Sequence, residues 1–301
     1  MTEAEQEQEL VCIILVNWNG WRDTVRCLES CAELDHARHE VTVVDNGSTD
    51  DSVTRLRERF PDLRLIETGA NLGFAGGNNV GLHDAIARDA AYVWLLNNDT
   101  VVDPTALTAL VQVMRSDSSV GLAASKVYYR DRPHTLWYAG GSFSPIWGWT
   151  LHRGADEIDT GRYDEVADVD FATGCSLLVR ADTLAAIGPL DEDYFLYWED
   201  VDWSTRARRA GWRVVYAPAS RVWHSFGRAI PDGGGHLRWR YEGRNRLLYY
   251  SRQHPSAQVR IALCTVLNAG YLTLRGRSRD GLALAHGLLD AARGRTGAIA
   301  S

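Results

Sequence analysis

Four short apolar runs, residues 11–16 (VCIILV), 41–44 (VTVV), 63–67 (LRLIE) and 91–96 (AYVWLL), punctuate the first hundred or so positions of the chain. The first and the last are apolar almost throughout, which predicts strands buried on both faces of a sheet. Between the runs lie an amphipathic stretch from about 21 to 34, a second ending near Phe60, and a third opening from the Gly- and Asn-rich run 69–81. These predict helices. Strands and helices alternating in this way imply an α/β layer with right-handed crossovers. Ser48 and Asp51 have the spacing of a capping box, and Asp103-Pro104 reads as an N-cap with proline in the first helical turn.

The pattern is less regular afterwards. Strands are expected at 120–129, 170–180 and 212–218, with Val222-Trp223-His224 just beyond the last. Residues 137–159, rich in Gly and Trp, read as a loop or hairpin over a crevice. Asp182 would cap a short helix ending near Gly188-Pro189, and the acidic and aromatic cluster 191–203 leads into a helix stopped by Gly211. Residues 225–235 have the composition of a mobile lid, and 237–252 read as a helix bearing five arginines. The stretch 255–301 holds six arginines against two aspartates, with apolar residues at roughly helical spacing. A basic amphipathic helix pair of this kind can lie on an anionic membrane surface, form a homodimer interface or cover the core.

Composition narrows the function. A net charge of −7 argues against a nucleic-acid binder. Lys126 is the one lysine, so lysine chemistry has a single candidate, and nothing around it marks it as special. Five cysteines without a C-x-x-C pair, and no signal peptide, lead us to expect a reduced, cytoplasmic setting. No apolar run is long enough to span a bilayer. Residues 1–10 are expected to be a disordered acidic tail.

Three predicted strands end in polar clusters: Asn17/Asn19, Asp45/Asn46/Ser48 and Asn97/Asp99. In a parallel sheet those ends share one edge, where open α/β sheets bind ligands. Asp99, pinned between a buried strand and a helix start, is placed to hold a divalent ion against a phosphorylated substrate. The same residues also suit ordinary strand-to-helix turns.

The segments VNWNG, VVDNGSTDDS, NLGFAGGNNVG, LLNNDT, YFLYWEDVDWSTRARRAGW and VWHSFG occur in that order between residues 16 and 227. Together they resemble a family 2 glycosyltransferase, and most of all its rhamnosyltransferase-like branch. The resemblance implies a GT-A fold, a Rossmann-like and mostly parallel sheet flanked by helices. It would cover 11–252, with a nucleotide-binding half at 11–103, an acceptor half at 104–252 and a basic helical tail at 253–301. The implied reaction moves a sugar, rhamnose or a related hexose, from a dTDP- or UDP-linked donor with inversion. The acceptor would be a hydroxyl of a saccharide, a lipid-linked glycan or a small natural product.

By the same resemblance Asp99 and His224 would bind Mg²⁺ or Mn²⁺. Asn97 stands where the commoner D-x-D motif has its first aspartate, so the ion would arrive with the nucleotide. Asp45 would accept the N3–H of uracil or thymine, and cytosine, an acceptor at N3, would be rejected. Asn17, Asn19, Asn46, Ser48, Asn71, Gly73, Phe74, Asn78, Asn79, Asn97 and Asn98 would line the nucleotide site. The glycines of 73–81 would let backbone and a helix N-terminus approach the nucleotide. Asp200 would be the general base, with Glu199 orienting it or touching the acceptor. Trp198 and Arg244 would contact the acceptor or a phosphate. The enzyme would sit in the cytoplasm or on the inner face of the membrane. Competing readings are a catalytically silent sugar-nucleotide sensor, a sugar-phosphate nucleotidyltransferase and a glycoside hydrolase. The hydrolase would need neither the Asp45 turn nor the glycine run.

Overall fold

The computed structural model describes residues 9–144, 146–225 and 235–299. The expected acidic tail, up to residue 8, and residues 226–234 of the lid expected at 225–235 lie outside the described residues. Leu10 is buried and its carbonyl accepts the Ala91 N–H, so order includes the last position assigned to the tail.

The first half runs β1 (Val11–Asn17), α1 (Trp21–Cys31), β2 (His39–Asp45), α2 (Ser52–Arg59), β3 (Arg64–Glu67), α3 (Gly73–Ala87) and β4 (Tyr92–Asn97). There follow β5 (Thr100–Val102), α4 (Ala106–Ser116), β6 (Val120–Tyr129), β7 (Leu136–Tyr138), β8 (Gly141–Phe143), β9 (Thr150–His152) and β10 (Ala167–Asp168). The chain continues through β11 (Ser176–Arg180), α5 (Ala181–Ile187), α6 (Glu199–Arg209), β12 (Arg213–His224), α7 (Gly235–Gln253), α8 (Gln258–Leu274) and α9 (Ser278–Ala292).

One sheet in the order β10-β12-β6-β11-β4-β1-β2-β3 organises the molecule. β12, β6, β4, β1, β2 and β3 point the same way, while β10 and β11 run against them. This is the GT-A arrangement, a Rossmann-like and mostly parallel sheet between helices, with α8 and α9 as a C-terminal helical extension. Alternate residues of β1 serve opposite faces: Ile13 and Leu15 pack with Leu28, Leu107 and Leu110, whereas Cys12 and Ile14 pack with Ala75, Leu82 and Ala85.

The differences from the pattern reading have local causes. β11 is shorter than the expected 170–180, because residues 173–176 form a turn in which Ser176 N–H donates to the Thr173 carbonyl. β12 is one strand through Pro218, its register with β6 shifting between Ala217 and Arg221. The Ser48–Asp51 capping box does not form, since the Ser48 hydroxyl donates to Asp45. Asp103 lies ahead of α4 and accepts from Thr105.

Candidate active site

The carboxyl ends of β1, β2 and β4 lie side by side, with Asn17 opposite Asp45 and Val16 opposite Asn97. Asp45 is buried. Its Oδ1 accepts from Asn17 Nδ2 at 2.8 Å and from the Ser48 hydroxyl at 2.6 Å, and its Oδ2 accepts from Ser48 N–H at 3.0 Å. A carboxylate oxygen has room for two donors, so Oδ2 retains an acceptor direction. Asn19 braces the same turn: its Oδ1 accepts from Thr49 N–H and its own N–H donates to Ser48 Oγ. Thr24 links the cluster to the next strand end, donating to Asn17 Oδ1 and accepting from Asn98 Nδ2, both at 2.8 Å. Sequence reasoning passed over Thr24, which lies inside a helical stretch with no motif around it.

At the end of β4, Asp99 Oδ1 lies 3.0 Å from His224 Nε2 at the end of β12, and Asn97 Nδ2 is 3.4 Å from the same nitrogen. Burial works against a charged His224. The Cys175 thiol and the Asp99 carboxylate beside the ring outweigh it and raise the imidazole well above its ordinary range. A carboxylate oxygen and an imidazole nitrogen about 3 Å apart can share one edge of an octahedral cation, whose ligands sit at about 2.1 Å. The donor pair therefore fits a divalent ion. Among the described residues no group of three or more His, Cys, Asp or Glu is placed to hold a metal ion, so diphosphate oxygens would have to complete the sphere.

The opposite wall is the start of α6. Asp200, partly exposed, accepts from Gly174 N–H on Oδ2 and from Val201 N–H on Oδ1, both at 2.8 Å. Burial raises its pKa to about 6, the two amides hold it down, and the charge of Glu242 adds to the rise. Glu199 is buried and pushed well above the ordinary carboxylate range, first by burial and then by Asp200. Its Oε2 has no hydrogen-bond partner among the described residues. The turn at 173–175 joins the two walls. Gly174 holds Asp200, Cys175 accepts Asn97 N–H through its carbonyl at 2.9 Å, and the Cys175 thiol lies beside His224. A Cβ on Gly174 would come within 3.0 Å of the Phe74 ring and 3.5 Å of Asp200 Cβ. Trp137 adds an aromatic edge, its ring 5.1 Å from that of His224.

Several residues expected at the nucleotide site brace the fold. Asn78 Nδ2 donates to the Phe74 carbonyl, and Asn79 clasps Leu190 and Glu192. Asn46 donates to the Gly73 carbonyl and to Asn71, and Asn71 in turn accepts from Gly73 N–H. Gly77 and Gly81 seat α3 on β1, where a Cβ would strike Val16 and Ile14. The α3 N-terminus is capped by the Phe195 carbonyl, which accepts from Phe74 and Ala75. Gly73 itself has φ +74° and a Cβ there would lie 2.3 Å from that carbonyl. Within the run 69–81, Gly77 and Gly81 thus serve helix–sheet packing. Trp198 is buried against Tyr249 and donates to Glu242, so it has no free ring face for a sugar. Arg244 is buried too, its guanidinium on the carbonyls of Tyr194 and Gly297. The arginine of α7 that reaches the catalytic wall is Arg238, over the Tyr197 ring and 3.9 Å from Glu242.

Behind the 194–198 segment stands Asn245, which sequence reasoning did not single out. Wholly buried, its Nδ2 lies within 2.9 Å of the carbonyls of Tyr194, Leu196 and Tyr197. Phe195, Tyr197 and Trp198 all have positive φ (62°, 68° and 77°), so this clasp holds strained backbone directly before Glu199-Asp200. A separate cavity of about 730 Å³ opens between residues 140–142, 151–153, 168–170 and 208–214, and neither Asp99 nor Asp200 lines it.

The family model described as glycosyltransferase-like family 2 matches residues 8–239. A Mycobacterium tuberculosis relative, N-acetylglucosaminyl-diphospho-decaprenol L-rhamnosyltransferase, is 28% identical over 237 residues, covering 72% of this chain and 76% of its own. Among solved structures, the mannosyltransferase PcManGT from Pyrobaculum calidifontis in complex with GDP-Man and Mn²⁺ superposes with a TM-score of 0.59 at 17% identity. That match covers 95% of this chain and 87% of that one. GalNAc-T7 with UDP, GalNAc and Mn²⁺ gives a TM-score of 0.58 at 14% identity over 72% of this chain, which spans 44% of that structure.

Proposed function

This chain belongs to glycosyltransferase family 2, and from that premise we propose that it moves rhamnose or a related hexose from a dTDP- or UDP-linked donor to an acceptor hydroxyl, with Asp200 as the base. The observation that carries this reading is the shared turn at 173–175, which puts a carboxylate of pKa about 6 across from the Asp99–His224 pair. A base with that pKa is mostly ionised at neutral pH and still strong enough to take a hydroxyl proton. As the acceptor oxygen bonds to the anomeric carbon, the bond from that carbon to the diphosphate oxygen breaks on the opposite face. The electron pair leaves with the diphosphate and the acceptor proton passes to Asp200, so the configuration inverts.

Asp99 and His224 would hold a divalent cation, whose chemistry is to offset the charge on the leaving diphosphate. Asp45 Oδ2 receives the pyrimidine N3–H, in a turn already fixed by Asn17, Ser48 and Asn19. Glu199, kept neutral, donates a hydrogen bond to the acceptor. A phosphate of the donor or of a lipid-linked acceptor falls to Arg238 rather than to the buried Arg244. The M. tuberculosis relative makes a rhamnose donor and a lipid-linked glycan acceptor our first choice.

Calorimetry with dTDP, UDP and CDP, each with and without Mn²⁺, followed by a donor panel read as release of nucleoside diphosphate, tests this reading. Binding of dTDP or UDP but not CDP, strengthened by Mn²⁺, is the expected result. Failure of all three to bind would overturn it.

A further inference from the structure

A surface helix on a folded domain ordinarily turns one apolar stripe inward and a polar one outward. α8 does the first: Ile261, Cys264, Thr265, Ala269 and Leu272 are buried. Its outward stripe is apolar as well. Val259, Leu263, Val266, Leu267, Tyr271 and Leu274 fall at helical spacing on the solvent side and are 55 to 89% exposed. No helix among the described residues is long and apolar enough to cross a membrane.

The patch extends beyond the helix. Ile146 and Trp147, 66% and 42% exposed, belong to the loop between β8 and β9. The Ile146 carbonyl accepts from Arg260 and from the Cys264 thiol, which fixes that loop against α8. Two segments far apart in sequence therefore build one apolar surface, with Trp147 and Tyr271 on it, residue types that favour the boundary between lipid and water. The charge around it is mainly of one sign. Residues 258–280 contain Arg260, Arg275, Arg277 and Arg279 against one acid, Asp280, which pairs with Arg277, in a chain whose net charge is −7.

We propose that this face seats on an anionic lipid surface, α8 lying in the interface plane with its outward stripe among the acyl chains and the arginines at the headgroups. A second copy of the chain is the weaker occupant, because a two-fold contact through this patch would set its basic rim against itself. α9 takes no equal share. It packs on α7 and α8, and its Asp290 pairs with Arg240 and Arg295. The inference concerns where the molecule sits and holds whichever sugar it moves.

Flotation of the full chain on phosphatidylcholine vesicles, with and without about 30 mol% phosphatidylglycerol, is the test. We expect flotation on the anionic vesicles, at least several-fold less on the neutral ones, and weakening with added salt. Leu263→Ser/Leu267→Ser should cut flotation by about tenfold or more. Both positions are exposed, so circular dichroism and the thermal midpoint should stay at their parental values, which separates lost binding from lost folding. Equal flotation of the variant, equal flotation on neutral vesicles, or no flotation would overturn the proposal. So would a dimer, seen by light scattering, that the same double variant dissociates.

Discussion

The Asp45 turn and the Asp200 wall both hold a carboxylate at the strand-end edge of the sheet, yet they are built in opposite ways. Around Asp45 the supports are near neighbours on adjoining strand ends, and nearly every polar atom has a partner within 3.2 Å. Asp200 stands on three non-glycine residues of positive φ, fixed from behind by Asn245 and from the side by the Gly174 amide. Next to it sits a buried acid with an unpaired oxygen. The first region has one non-glycine residue of positive φ, Asn19 at 52°, whereas the second has three within four positions, so most of the tension lies beside Asp200. Under the proposed function, that division would suit recognition of a base at one end and deprotonation of an alcohol at the other.

The strongest way to break the comparison is to neutralise the tense side alone. Asp200→Asn should lower the transfer rate by about 10³-fold, within the range of a lost general base, and leave dTDP or UDP affinity within about twofold. In the parent, kcat/KM should fall about tenfold per pH unit below about 6, because the base acts only when unprotonated, and the variant should lack that limb. Equal loss of binding and turnover would show that Asp200 does not act as the base.

Asn245→Ala tests whether tension is what matters. Removing donors to three buried carbonyls should cost roughly 2–4 kcal/mol of stability. As a positioning residue, Asn245 should also show a drop in kcat of about 10- to 100-fold with the donor KM unchanged. A lower thermal midpoint with an unaltered kcat would make the clasp structural only. Asp99→Ala should abolish the gain in nucleotide affinity that Mn²⁺ provides, about tenfold or more by titration, with metal-free binding unchanged. On the relaxed side the effect should be smallest. Ser48→Ala leaves Asp45 with two of its three donors and should weaken nucleotide binding about fivefold, close to the value of one hydrogen bond. A loss as large as that of Asp99→Ala would mean that the turn is not preformed.

The two regions also differ in how far the chain announces them. The ends of β1, β2 and β4 were readable because a buried parallel strand is a dense apolar run and its polar terminus must face the ligand edge. Asn17, Asp45, Asn97 and Asp99 followed from strand direction alone. Asp200 came only through resemblance, since its supports, Gly174 and Asn245, lie 26 and 45 residues away, one in an uncharged stretch and the other among the arginines of α7. The bracing by Asn78, Asn79 and Arg244 was hidden for a related reason. An amide or guanidinium that fastens distant backbone has the same composition as one that meets a ligand, and only tertiary structure separates them. β11 was read six residues too long because the turn at 173–175 carries no charge to mark it off from the strand it precedes.

The reversal of β11 has a chemical consequence. Its neighbours β4 and β6 reach the crevice with their carboxyl ends, where the last free backbone groups are carbonyl oxygens that repel an acid. The antiparallel strand arrives at the same rim with its amino end and so turns an outward N–H toward Asp200. A single change of chain polarity thus turns the Gly174 amide hydrogen toward the Asp200 carboxylate, helping to fasten it without lending it a counter-ion.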